Sequence, residues 1–99
     1  MATEPNTMPT PDTGTSTDTL SAQEDIYQVV LHNDDTNTME HVVRCLVQVF
    51  GHSLELAVKI MMEAHRKGRA VAEVESKSEA QRHRDQLRSL SLVATIEPI

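Results

Sequence analysis

A chain of 99 residues with one tyrosine, one phenylalanine and no tryptophan can form a single small core, burying roughly 60% of the surface of its unfolded form. That argues against a deep enzyme cleft. Its net charge of -6 is unevenly held, because Glu4, Asp12, Asp18, Glu24 and Asp25 fall in the first 25 residues with no Lys or Arg among them. The near-neutral remainder lacks the clustered basic residues by which nucleic acid is bound. The lone Cys45 excludes an intramolecular disulfide, and no apolar run approaches the ~20 residues of a membrane span. Neither a secretory signal nor a transit peptide is legible at the start, so the expected compartment is the cytosol.

Residues 1–25, dominated by Thr, Ser, Pro and Asp, are predicted to be a disordered acidic extension, with the folded domain at 26–99. Ile26 to Leu31 fits a strand, with Tyr27, Val29 and Leu31 on one face and Ile26 and Val30 on the other, as in a sheet buried on both sides. His32, Asn33, Asp34 and Asp35 follow as a turn, since Asn and Asp side chains hydrogen-bond nearby backbone. The same groups form a compact acceptor cluster suited to a small cation.

Asn37 with Glu40 reads as the capping pair of a helix over about Thr38 to Phe50. Its residues Met39, Val42, Val43, Leu46, Val49 and Phe50 share one stripe, and Gly51 ends it. Ser53 caps a second helix, about Leu54 to Arg66, closed by Lys67 and Gly68. Arg69 to Glu75 reads as a strand, Ser76 with Glu79 as a capping pair, Glu79 to Arg88 as a polar helix, and Ser91 to Glu97 as a last strand stopped by Pro98. The expected fold is α/β (α+β): three helices packed on a three-stranded antiparallel sheet in the order βααβαβ, without internal repeats.

Met61 and His65 lie four residues apart on one face of the second helix, which Val58 shares. If the two helices form an antiparallel hairpin, His65 returns to the turn at Asn33 to Asn37. Asn33, Asp34 and His65 would then surround a hollow floored by Met39, Val42 and Met61, with acceptors and negative charge at the mouth and soft apolar surface behind. A primary ammonium on an apolar side chain satisfies both, and a free peptide N-terminus with a large first residue is such a group. Ionised carboxylate and neutral imidazole both accept hydrogen bonds.

The motifs Tyr27-Gln-Val-Val-Leu-His-Asn-Asp-Asp35, Thr38-Met39-Glu40, Val42-Val43, Met61-Met62-Glu63-Ala64-His65, Gly68-Arg69-Ala70-Val71 and Thr95-Ile96-Glu97-Pro98 occur in this order over nearly all of residues 26 to 98. Together they resemble the ClpS adaptor family, which hands N-degron substrates to a Clp-family AAA+ unfoldase and its protease. The resemblance implies that Asn33, Asp34 and His65 hold the substrate α-amino group. Met39, Val42, Met61 and Leu92 would line the side-chain pocket, with Asp35, Asn37 and Thr38 at its edge. Met39 would be the wall that screens out β-branched first residues. It further implies substrates beginning with Leu, Phe, Tyr or Trp, and an N-terminal extension that takes part in delivery. The implied protein is not an enzyme and uses no cofactor, metal, nucleic acid or membrane. Thr36, Asn37 and Thr38 stand where many relatives have an aromatic residue, Thr and Pro. The resemblance implies the N-terminal domain of a ClpC-type or ClpA-type unfoldase as partner, and because the segment Glu73 to Arg88 lacks the family's acidic and basic unfoldase-contacting pattern, a ClpC-type rather than a ClpA-type partner is expected.

Taken singly, these residues have plainer readings: Asp34 and Asp35 as turn formers near a helix N-terminus, worth about 0.3 to 1 kcal/mol, His65 as a helix-end histidine, and Met39 and Met61 as core. His32, His41, His52, His65 and His83 lack a paired ligand spacing. Two rival classes remain. One is a hydrolase using Asp34 or Asp35 with His65; the other is an interaction module of similar fold that binds a partner surface rather than a terminus.

Overall fold

The computed structural model describes residues 25–99, so the predicted extension lies, but for Asp25, outside the described residues. Six elements follow one another: β1 (Ile26–His32), α1 (Met39–Phe50), α2 (Leu54–Lys67), β2 (Arg69–Ser76), α3 (Lys77–Ser89) and β3 (Val93–Pro98). The central strand β1 pairs antiparallel with β2 on one side and β3 on the other. The predicted order βααβαβ and the three-stranded antiparallel sheet are both present.

Local chemistry explains most boundaries. Ser53 and Ser76 cap α2 and α3, their hydroxyls accepting from Leu56 N and Glu79 N. Gly51 and Gly68 end α1 and α2 in the left-handed conformation, at φ 73° and 90°, which a Cβ disfavours. The cap of α1 differs from the sequence expectation. Thr38 rather than Asn37 occupies it, with Oγ1 accepting from His41 N at 3.1 Å. The Asn37 amide is committed elsewhere, donating to Ser91 O at 2.8 Å and to the Asp34 carboxylate.

The last strand begins at Val93, two residues later than expected, because the end of α3 takes a Schellman turn. Leu92 N donates to Leu87 O and Ser91 N to Arg88 O, both at 3.0 Å, with Ser91 at φ 74° in the position where Gly is usual. The turn carries Leu92 onto Leu87, and both are buried. α3 itself starts at Lys77 and runs through Ser89.

One face of the sheet carries the core. Val29, Leu31, Ala70, Ala72 and Ala94 pack with Leu46 and Cys45 of α1, Ala57, Ile60 and Ala64 of α2, and Ala80 and Leu87 of α3. Small alanines on β2 and β3 let the helices approach closely. The expected burial of the sheet's second face holds only at Val30, because Ile26, placed on that face with it, is exposed. Val30 is fully buried, whereas Val71, Val74 and Val93 are exposed. Polar pairs accompany them: Gln28 Nε2 and Arg69 Nη2 both donate to Glu97 Oε1, at 2.9 and 2.8 Å, and His32 Nε2 lies 2.8 Å from Thr95 Oγ1. A bulge between Val29 and Val30 leaves Ala72 without a partner on β1, and its carbonyl accepts from His52 Nε2 at 2.8 Å.

Candidate functional site

The site is assembled by strand register. His32, the last residue of β1, pairs with Arg69, the first of β2, and Asn33 N donates to Gly68 O at 3.0 Å. Because α2 ends at Lys67, this pairing fixes its last turns beside the turn after β1, from which α1 departs. Between them lies a hollow of about 180 Å³. His32 from the end of β1, Asn33, Asp34, Asp35 and Asn37 from the turn and His65 from α2 provide its polar groups; Leu31, Met39, Val42, Met61 and Ala64 provide apolar wall. A cavity of about 150 Å³ already admits benzene, so the volume is enough for a large apolar or aromatic side chain.

The Asp34 carboxylate organises the turn. Its Oδ1 accepts from Thr36 N (3.0 Å), Thr36 Oγ1 (2.9 Å), Asn37 N (3.0 Å) and Asn37 Nδ2 (3.1 Å), whereas Oδ2 accepts from Asn37 Nδ2 alone. Burial pushes this carboxyl's pKa up, but the hydrogen bonds from the Asn37 and Thr36 side chains and backbone outweigh it and hold the group below its ordinary value of 3.8. Asn37 and His41 also secure the loop after α3, donating to the adjacent carbonyls of Ser91 and Leu90 at 2.8 Å each.

Among the described residues, the Asn33 side-chain amide, the Asp35 carboxylate and the His65 imidazole have no protein hydrogen-bond partner. The other four histidines all do: His32 with Thr95, His41 with Leu90, His52 with Ala72, and His83 with Glu75. His65 is therefore the imidazole left open to a ligand, and it stands at the hollow. Cys45 lies elsewhere, buried in the core, where desolvation raises its thiol pKa and keeps it protonated. No serine, threonine or cysteine lines the hollow among the described residues, which leaves a hydrolase without a side-chain hydroxyl or thiol nucleophile there.

Of the residues singled out from sequence, Asn33, Asp34, Asp35, Asn37, Met39, Val42, Met61 and His65 all border the hollow. Leu92 does not; at 3% exposure it sits in the core, drawn there by the Schellman turn. Thr38 is likewise absent from the wall, being used as the α1 cap. Leu31, His32 and Ala64 were missed. Ala64 carried a signal, since it is three residues from Met61 on the same helical face. The three groups among the described residues that approach a metal-ligating geometry, Glu75, Glu79 and His83, lie at the β2–α3 junction away from the hollow, and Arg82 already bonds Glu79 there.

A family model described as "ATP-dependent Clp protease adaptor protein ClpS" matches residues 22–95, a span that contains the turn, both hollow-lining helices and all three strands but the end of β3. The chain belongs to the ClpS family. It is 44% identical over 73 residues to the chloroplastic ClpS adapter CLPS1 of Arabidopsis thaliana, which covers 73% of this chain and 46% of that protein. It is 42% identical over 73 residues to ClpS of Synechococcus elongatus, covering 73% of this chain and 77% of that one. Among solved structures, Agrobacterium tumefaciens ClpS2 bound to L-phenylalaninamide has a TM-score of 0.68 at 32% identity, covering 78% of this chain and 100% of that chain. The chain spans about half the length of several of the curated ClpS relatives it matches.

Proposed function

We propose that this chain is a non-enzymatic adaptor that captures polypeptides by a free N-terminal residue with a large apolar side chain and brings them to a Clp-family AAA+ unfoldase. The observation that carries the reading is the hollow, in which open polar groups of Asn33, Asp34 and His65 meet at the mouth of an apolar wall. A protonated α-amino group donates three hydrogen bonds. Asn33 and His65 offer acceptors without partners in the protein, and Asp34 offers an ionised carboxylate with one lightly used oxygen. Asp35 adds negative charge at the edge. The side chain of the first residue enters between Met39, Val42 and Met61. That the solved ClpS2 holds L-phenylalaninamide, a free α-amino group beside an aromatic side chain, supports the assignment.

The magnitudes suffice. Hydrogen bonds to a charged group contribute roughly 1.5 to 3 kcal/mol each and burial of a Leu or Phe side chain about the same, offset by association costs of about 4 kcal/mol or more. Micromolar binding needs about 8 kcal/mol, within reach of one residue, its amino group and a few backbone contacts.

The preferred first residues are Leu, Phe, Tyr and Trp, the partner is the N-terminal domain of a ClpC-type or ClpA-type unfoldase, and the compartment is the cytosol. Residues 1–25 form an acidic extension used in delivery. The test is reconstituted degradation: a folded reporter beginning with Leu or Phe is mixed with unfoldase, protease and this chain. Degradation should be accelerated by the chain for those reporters and not for one beginning with Ser. Equal acceleration of all three contradicts the reading. Removal of residues 1–20 should slow degradation while leaving peptide binding intact, and an unchanged rate would make the extension a spacer.

A further inference from the structure

Met39 and Met61 each border two spaces. On one side is the hollow; on the other, with Val43, Val47, Leu54 and Val58, they line an open apolar groove of about 490 Å³ between α1 and α2. Leu54 is 67% exposed and Met39 47%, and Val47 and Val58 are exposed as well. A contiguous apolar strip of this kind on a small domain marks an interaction surface.

We propose that this groove receives the substrate residues that follow the first one, so that the chain selects polypeptides with apolar side chains just behind a large apolar N-terminal residue. The proposal rests on the reading of the hollow as an amino-terminus site. Continuity is the first argument. The hollow is bounded on one side by β1 and its turn and on the other by Met39 and Met61, and the groove begins directly across that second wall. The second is length. Met39 and Val47 are eight residues apart on α1, about 12 Å along the axis, which an extended chain covers in about four residues. Substrate residues two to five thus reach the whole floor. The third is charge. The groove's edge carries Glu40 and Arg44, whose opposite charges offset, so it has no net positive charge to draw in the acidic residues 1–24 of this chain, whereas an uncharged apolar segment is accommodated. Flexible methionines at the shared wall tolerate varied side chains.

The test is calorimetry on the full chain with three probes: phenylalaninamide, the peptide amide Phe-Ser-Ser-Ser-Ser, and Phe-Ser-Leu-Val-Ser. The apolar peptide should bind about tenfold more tightly than the serine peptide. The double variant Val47→Gln, Leu54→Gln, both positions outside the hollow, should abolish that gain and leave phenylalaninamide binding unchanged. Equal binding of the two peptides, or a gain that survives in the double variant, overturns the groove proposal while phenylalaninamide binding keeps the hollow's reading. Absence of phenylalaninamide binding overturns both. Light scattering that shows a dimer dissociated by the double variant, or a gain seen only after deletion of residues 1–24, assigns the groove to a second copy or to the chain's own tail and likewise overturns the proposal.

Discussion

Asp34 divides its oxygens between fold and ligand. Oδ1 accepts four donors from Thr36 and Asn37 and ties the turn together, and Oδ2 is left with one shared contact. Because these bonds lower the pKa below 3.8 against the opposing effect of burial, the carboxylate contributes stability that is fully present above that value and lost as pH falls through the lower, folded-state value. The difference in urea midpoint between the wild type and Asp34→Asn should hold constant from neutrality to pH 5 and close only below pH 4. A gap that begins to close near pH 6 contradicts this. Met39 stands half exposed at the mouth, where its bulk crowds a first residue branched at Cβ. Met39→Ala should raise affinity for peptides beginning with Ile or Val by about tenfold or more, the usual effect of one or two methylenes of space. An unchanged ranking in a peptide panel removes Met39 from this role.

At the scale of elements, the end of α3 holds, among the described residues, the one non-glycine residue at positive φ. Ser91 adopts φ 74°, which costs a residue with a Cβ about 1 to 2 kcal/mol, partly offset by the greater freedom a glycine loses on folding. Ser91→Gly keeps the backbone carbonyl that Asn37 donates to. It should stabilise the fold by about 0.5 kcal/mol, a rise of roughly 2 to 4 °C in Tm for a domain of this size. A lower Tm would show that the serine side chain has a role of its own. Thr38→Ala should cost about 1 kcal/mol through loss of the α1 cap, measured by urea denaturation, and no loss would return the cap to Asn37. The six elements were legible because caps and stops are local: Ser53, Ser76, Gly51 and Gly68 act through their own backbone neighbours. Asn37 was misread because Asn and Thr compete as caps at adjacent positions, and a contact 54 residues away, with Ser91 O, decides between them. The start of β3 was misread for a related reason. Ser91 and Leu92 continue the apolar alternation of the strand, but the carbonyls of Leu87 and Arg88 claim their N–H groups for a turn.

For the whole molecule, the candidate site was legible in outline because two local signals, the polar turn and the Met61–His65 spacing, are brought together by any packing that pairs β1 with β2. The register His32 to Arg69 and the Asn33–Gly68 hydrogen bond make that meeting definite. What sequence could not show is that four of the five histidines are tied to Thr95, Leu90, Ala72 and Glu75 while His65 is left open, since three of those contacts join positions 20 or more residues apart and the fourth, His83 with Glu75, depends on how α3 turns back on β2. Nor could periodicity show that the sheet is covered on one face only, because Val30 is buried within the sheet itself. Such a domain, too small for an enclosed cleft, can still offer a shallow site at the junction of a turn and two helix ends.

The central claim is that the hollow recognises a free amino terminus, and calorimetry of the full chain with phenylalaninamide and with N-acetyl-phenylalaninamide tests it most directly. The account predicts micromolar binding of the first, loss of at least tenfold on acetylation, and a comparable loss for the free amide with Asn33→Ala or His65→Ala. Equal affinity for the two amides would contradict it.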